Sequence, residues 1–165
     1  SLNQIQEIFF FFIAIKNFPT DEKKMFFYQK WLGCYLDHPK ESFLFLASDK
    51  ENNILGYCVG VFNSASAAKW IAPSTSAPYY LFQDLFQEFP CHIHINVHPN
   101  TRGTGLGSQM IEKVKDFLFE KKIYGLHIIT SPGVQNVEFY RKNNFIKEVT
   151  RQYGATSLHF MGCHL

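Results

Sequence analysis

The chain has 165 residues, of which 46% are hydrophobic and 18 are Phe, and its formal charge is only +2. That length and apolar content suit one domain of ordinary size, residues 1–165, with a substantial core. The near-neutral balance gives no electrostatic reason to expect nucleic acid or an acidic membrane as a partner. Cys34, Cys58, Cys91 and Cys163 lie far apart and form no C-x-x-C pair. This spacing argues against a zinc ribbon or a disulfide framework and for reduced thiols in a cytoplasmic protein. The longest apolar run, Ile8 to Ile15, is too short to cross a bilayer and lacks the flanks of a secretory signal. Ser1 in place of Met suggests a trimmed chain or an excised domain.

In chain order, Leu2, Ile5, Ile8, Phe9, Phe12 and Ile13 recur at helical spacing until Pro19, which predicts a first helix. Met25 to Leu36 reads as a second, opened by Thr20, Asp21 and Glu22. Phe43 to Ala47 and Ile54 to Phe62 read as strands of a hairpin around the polar turn Ser48 to Asn53. Residues 63–90 form a long insert, predicted as a Ser/Ala/Pro-rich loop with a short aromatic helix near Tyr79 to Phe89, and loops this long often wall a substrate. A strand over His92 to Val97, a helix over Gly105 to Glu120 and a strand over Leu126 to Ser131 follow. Leu106, Met110, Ile111, Val114, Phe117 and Leu118 make one stripe of that helix, so it packs on a sheet as a right-handed crossover. Val134 to Lys142 is a further helix, and Phe145 to Val149 pairs with Ser157 to Cys163.

The sum is an α/β (α+β) fold: a mixed, mostly antiparallel sheet with helices on both faces and one βαβ crossover. At that crossover the strand runs into Arg102-Gly103-Thr104-Gly105-Leu106-Gly107 and then a helix. Glycines let a ligand approach the backbone, and a helix N-terminus offers unpaired N–H groups and partial positive charge, which suits a pyrophosphate. A nucleotide-hydrolase loop would need Lys then Ser or Thr after its last glycine, but Ser108 and Gln109 follow Gly107. A dinucleotide fold would want G-x-G-x-x-G and an acid at the end of the next strand, and Leu126 to Ser131 has none.

Arg102-x-x-Gly105-x-Gly107, preceded by Val97-His98-Pro99, resembles the acyl-CoA-binding signature of the GNAT superfamily of N-acetyltransferases. Downstream, Phe139-Tyr140-Arg141-Lys142-Asn143-Asn144-Phe145 resembles that family's F-Y-x-K-x-G-F segment. Within the superfamily, the H-x-H-I strand, Gly56-Tyr57 and the insert ending at Cys91 look closest to acetyltransferase-like domains related to those of some O-GlcNAc hydrolases. The family's usual first strand is not evident, because the chain opens on a helical pattern.

The resemblance implies acetyl-CoA as cofactor, with Arg102, Gly103, Thr104, Gly105, Leu106 and Gly107 on the pyrophosphate and Val97 and His98 on the pantetheine. Thr104 and Ser108 would add hydroxyl donors, and Arg141 and Lys142 are partners for the outer phosphate or solvated helix-end charges. Where many members carry a pantetheine-binding Asn this chain has Gly133, with Asn136 near enough to substitute. Asn144 replaces a glycine and tolerates the left-handed conformation. Tyr140 is the general acid by resemblance, since a phenol with a reference pKa of about 10 stays protonated at neutral pH. A core aromatic is its alternative reading.

For the base, His92, His94, Asn96 and His98 share one strand face, and imidazole suits proton uptake near neutral pH. His94 is the first choice and His92 the second. The family's usual base positions fall on Cys91 and Ile93, and a bulge would rotate either set toward the substrate. Packed, hydrogen-bonded histidines are an equal alternative, while a His92-x-His94 metal pair lacks further ligands, so no metal is expected.

The resulting expectation is direct acetyl transfer to the primary amine of a small molecule by a monomer or homodimer. The alternatives are a non-catalytic acyl-CoA-binding or interaction domain and a protein-lysine acetyltransferase. An acidic groove beside the insert would mark the latter. A pocket walled by Trp70, Tyr79 and Tyr80 would mark a small substrate.

Overall fold

A computed structural model describes residues 6–7, 9–11, 17–75, 77–133 and 136–165. The expected first helix falls largely outside them, although residues 6–7 and 9–11 are helical. Thr20, extended at φ −147°, accepts a hydrogen bond from the Lys23 N–H (3.2 Å), and Asp21 and Glu22 put negative charge in the first turn. Helix α1 (Asp21–Tyr28) therefore starts four residues earlier than its apolar pattern suggested. It passes through a π-helical turn (Gln29–Gly33), where the Cys34 N–H reaches back five residues to the Gln29 carbonyl, into a short α2 (Cys34–Leu36).

Strands β1 (Ser42–Ser48) and β2 (Ile54–Val61) form the expected hairpin, its turn held by the Asp49 carboxylate, which accepts from the N–H groups of Glu51 and Asn53. The insert then departs from expectation. The stretch read as loop is a twelve-residue helix, α3 (Ser64–Thr75), while the aromatic helix expected near Tyr79 to Phe89 is present as a 3-10 helix (Ala77–Leu85). The Asn63 side chain accepts from the Ser66 N–H (3.0 Å), and Ala65, Ala67 and Ala68 have high helix propensity, so the small residues taken as loop are good helix formers behind a cap. Ala67 and Ile71 are buried four residues apart.

Strand β3 (Cys91–Val97), helix α4 (Leu106–Glu120), strand β4 (Gly125–Thr130), helix α5 (Asn136–Lys142) and the hairpin β5 (Lys147–Tyr153) and β6 (Thr156–His164) complete the chain. The six strands run β1-β2-β3-β4-β6-β5, and only β3 and β4 pair in parallel. This is the expected mixed, mostly antiparallel sheet, and among the described residues no strand precedes β1. On one face α4 and α5 bury Met110, Ile111, Val114, Leu118 and Tyr140 against Cys91, Ile93, Leu126 and Ile128. Each such aliphatic side chain contributes roughly 1.5–3 kcal/mol. On the other face Tyr28, Leu32, Tyr35, Ala67 and Ile71 cover Tyr57, Val59 and Val61.

The sheet is not continuous at its parallel pair. β3 and β4 match only at Cys91 with Leu126 and His92 with His127. β3 then follows β2 out to Val97, and β4 follows β6 out to Thr130. A wedge opens between them at the end of the crossover, where ligands bind in sheets of this kind. Among the described residues no helix is long and apolar enough to cross a membrane, no cluster of three metal-ligating side chains occurs, and none of the four cysteines is in a disulfide.

Candidate active site

Past Val97 the chain turns sharply and is pinned by its own side chains. His98 caps a 3-10 turn (Pro99–Thr101), its Nδ1 accepting from the Asn100 N–H (3.1 Å), and Thr101 donates its hydroxyl to the His98 carbonyl (2.8 Å). Thr104 donates its hydroxyl to the Thr101 carbonyl (2.7 Å), so it braces the loop and its proton points inward rather than to a ligand as expected. The N–H groups of Arg102, Thr104 and Gln109 bond within the loop. Those of Gly103, Gly105, Leu106, Gly107 and Ser108 have no partner among the described residues. Gly103 and Gly105 take φ of +78° and +88°, and a Cβ on Gly103 would meet nothing within 4 Å, so the loop's outer side is open. No acidic residue stands in the first turn of α4, and Arg102 is exposed beside it. Unpaired donors, a helix N-terminus and a cation form an anion cradle of the predicted kind.

Gly107 has another role. A Cβ there would press on the Phe139 ring at 3.0 Å, so this glycine lets α5 lie against the first turn of α4. The two sequence blocks singled out above are thus packed on each other.

Below the wedge, on the face away from α4, lies a cavity of about 530 Å³. Its floor is His92, Ile93 and His94 of β3 with His127 and Ile129 of β4. Lys30, Trp31 and Tyr35 come from the π-helical turn and α2, Tyr79 from the insert, and Tyr153, Thr156 and Leu158 from the last hairpin. Of the expected wall only Tyr79 is present. Trp70 stacks on His38 (4.2 Å) and Tyr80 is exposed, because α3 turns Trp70 toward α2. Trp31, Tyr35 and Tyr153 replace them.

The histidines differ in what holds them. His92 is bonded at both nitrogens, Nε2 with the Tyr35 hydroxyl and Nδ1 with the Ser64 hydroxyl, each at 2.8 Å. Burial, then the nearby His127 and His94, push its pKa well below the ordinary value. His94 packs edge-on to Trp31 and Tyr35 (5.3 and 5.7 Å), has no hydrogen-bond partner among the described residues, and is lowered by burial to about 4. It is a neutral imidazole facing the cavity. His127, which sequence reading missed, lies between the rings of Phe86 and Phe160 and donates Nδ1–H to the Phe89 carbonyl (2.6 Å). Burial lowers it to about 3. One His in an apolar strand carries no pattern, and only its pairing opposite His92 brings it to the site.

The β2–β3 register runs unbroken from Gly56 with Val97 to Val61 with His92, so no bulge rotates β3 in that pairing. His92 and His94 face the cavity while Cys91 faces the α4 core. Tyr140 lies on that core side, 7% exposed, between the rings of Phe139 and Phe145, and burial raises its pKa further above the phenol range. It does not line the cavity; acid and base candidates sit on opposite faces of β3, with the wedge between. Asn136 donates Nδ2–H to the Thr130 hydroxyl (3.2 Å) at the cavity's lip. Lys142 is exposed, whereas Arg141 bonds both oxygens of Glu148 and also Glu138, which removes it as a phosphate partner.

An open anion cradle leads into a wedge with a cavity behind it, an arrangement that suits a coenzyme carrying a diphosphate. Residues 3–145 match the acetyltransferase (GNAT) family, and the chain belongs to it. Members of that family use acetyl-CoA, and the unpartnered N–H groups of Gly103, Gly105, Leu106, Gly107 and Ser108 fit its diphosphate. Among solved structures, SsHAT is similar at a TM-score of 0.64 and 15% identity, over 90% of this chain and 83% of its own. A candidate streptothricin acetyltransferase from Bacillus anthracis str. Ames, solved in complex with acetyl coenzyme A, gives 0.52 at 17% identity over 76% and 63% of the two chains. A candidate phosphinothricin N-acetyltransferase gives 0.52 at 14% over 88% and 81%. At these identities the likeness is one of fold. No curated protein matches the sequence.

Proposed function

We propose that the chain is an N-acetyltransferase that moves an acetyl group from acetyl-CoA to the primary amine of a small molecule by direct attack in a ternary complex. The observation that carries this reading is the continuity of three features: free N–H groups at the head of α4, the wedge between β3 and β4, and a cavity floored by an unbonded neutral imidazole. When bound, acetyl-CoA supplies an activated thioester. The N–H groups of Gly103, Gly105, Leu106, Gly107 and Ser108 and the α4 dipole would hold its diphosphate, with Arg102 and Lys142 as outer charges. Val97, His98 and the β3 edge past His92 line the pantetheine path, and Asn136 stands at its side in place of the absent family Asn.

His94 takes the proton of the attacking amine at an imidazole nitrogen. Its lowered pKa keeps it neutral at pH 7, so the lone pair is always available. His92, the second candidate, is committed to Tyr35 and Ser64 and acts by fixing Tyr35 against His94. Tyr140 keeps its proton at neutral pH and would be the donor for a departing thiolate. The thiols of Cys58, Cys91 and Cys163 are raised by burial, which favours direct attack over an acetyl-enzyme.

No carboxylate is among the described residues that line the cavity, which favours a small acceptor over a protein lysine drawn to an acidic groove. Within the family we place the chain nearest the acetyltransferase-like domains of O-GlcNAc hydrolases, on the His92-x-His94 strand and the insert. We read it as one domain, cytoplasmic, monomeric or homodimeric. A thiol-release assay with acetyl-CoA and a panel of primary amines tests the activity. Amine-dependent release is expected; acetyl-CoA binding with no release by any amine would make the chain a non-catalytic binding or interaction domain.

A further inference from the structure

We infer that the acceptor pocket selects an amine carrying both a flat apolar ring and a carboxylate, an aromatic amino acid being the simplest example, with Lys30 pairing the carboxylate. The inference rests on the acetyltransferase reading and concerns its substrate. Among the described residues Lys30 is the one lining residue with a formal charge, and its ammonium has no carboxylate partner there. It is half-buried and lies 5.2 Å over the Trp31 ring. A cation drawn partly out of water with no counter-ion is a cost that an anionic ligand group removes.

The backbone supports the same reading. Lys30 and Trp31 are adjacent in sequence, and in a regular helix they would diverge by about 100°. The π-helical turn Gln29–Gly33 carries both, and both reach the cavity wall. Such turns are rare and recur at functional sites. Trp31, Tyr35, Tyr79 and Tyr153 supply flat apolar walls, and a cavity of about 530 Å³ lies within the usual range for small-molecule sites. The histidines are neutral near pH 7, so Lys30 alone attracts the carboxylate and leaves the amine to His94.

The test compares kcat/KM for L-phenylalanine, phenethylamine and L-alanine with the wild type, Lys30→Met and Lys30→Arg, each checked for an unchanged thermal midpoint. In the wild type, phenylalanine should exceed both other amines by roughly tenfold or more, the size of one charge-assisted contact. Lys30→Met should bring the phenylalanine to phenethylamine ratio to about one, and Lys30→Arg should restore the preference. A wild-type ratio near one, or a ratio that survives Lys30→Met, overturns the inference. Turnover of other primary amines but not of phenylalanine overturns it while leaving the acetyltransferase intact; no thiol release with any amine removes both.

Discussion

Lowering the pH from 7.0 to 5.5 should cost the protein roughly 3.5 kcal/mol of stability, long before its carboxylates titrate. Burial holds His92 well below its ordinary pKa and His127 at about 3 in the folded chain, while unfolded imidazoles titrate near 6.5. Between those values the unfolded state binds protons that the native state refuses. The contribution is therefore complete above about 6.5 and is lost as the pH falls toward the folded values. At pH 5.5 the loss relative to pH 7.0 is about 1.2 kcal/mol for each closed histidine. His94, held at about 4, adds nearly the same amount with the same sign. Asp49, Asp84 and Glu148, lowered chiefly by hydrogen bonds from Asn53, Arg151 and Arg141, lose their contributions only at more acid pH. For a domain of this size the expected fall in Tm is about 7–14 °C. Urea titrations at pH 7.0, 6.25 and 5.5 measure it, with His127→Phe as the control that should remove about a third of the pH dependence. A wild-type loss below about 1 kcal/mol, or the same slope in His127→Phe, would refute the reasoning.

Tyr140→Phe keeps the ring between Phe139 and Phe145 and deletes only the hydroxyl. Turnover should fall about 10²–10⁴-fold with little change in calorimetric affinity for acetyl-CoA, and undiminished turnover would remove Tyr140 from the mechanism. If His94 is the base, the acid limb of kcat/KM should fall near pH 4 rather than 6.5 and disappear in His94→Gln; a limb at 6.5 that survives the substitution would assign the base elsewhere. Gly107→Val should overpack the Phe139 ring, lower stability by about 1–3 kcal/mol and weaken acetyl-CoA binding, with Phe139→Ala recovering part of both; a neutral result would show that the two blocks are not coupled.

The cofactor end was legible because its chemistry is local. Gly103, Gly105 and Gly107 follow a strand and open a helix within one short stretch, and period-two alternation on β3 assigned His92 and His94 to one face. The acceptor end was not, because its residues meet only in three dimensions. Lys30 and Trp31 enter through a π-helical turn that carries no sequence signal, and His127 joins through a two-residue parallel pairing. The insert was misjudged because Ser and Ala served as loop markers while Asn63, as a side-chain cap, went unweighed.

Calorimetric titration of acetyl-CoA into the wild type and Gly105→Val tests the central claim most directly. Gly105 holds φ +88°, which a β-branched residue does not adopt without strain, so the variant should close or distort the cradle. The wild type should bind one equivalent, with a dissociation constant between about 1 μM and 1 mM, and gain thermal stability, and the variant should bind at least about tenfold more weakly. Absence of heat and of stabilisation for the wild type at millimolar ligand, or equal affinity in the variant, would contradict a diphosphate held by the amides at the head of α4.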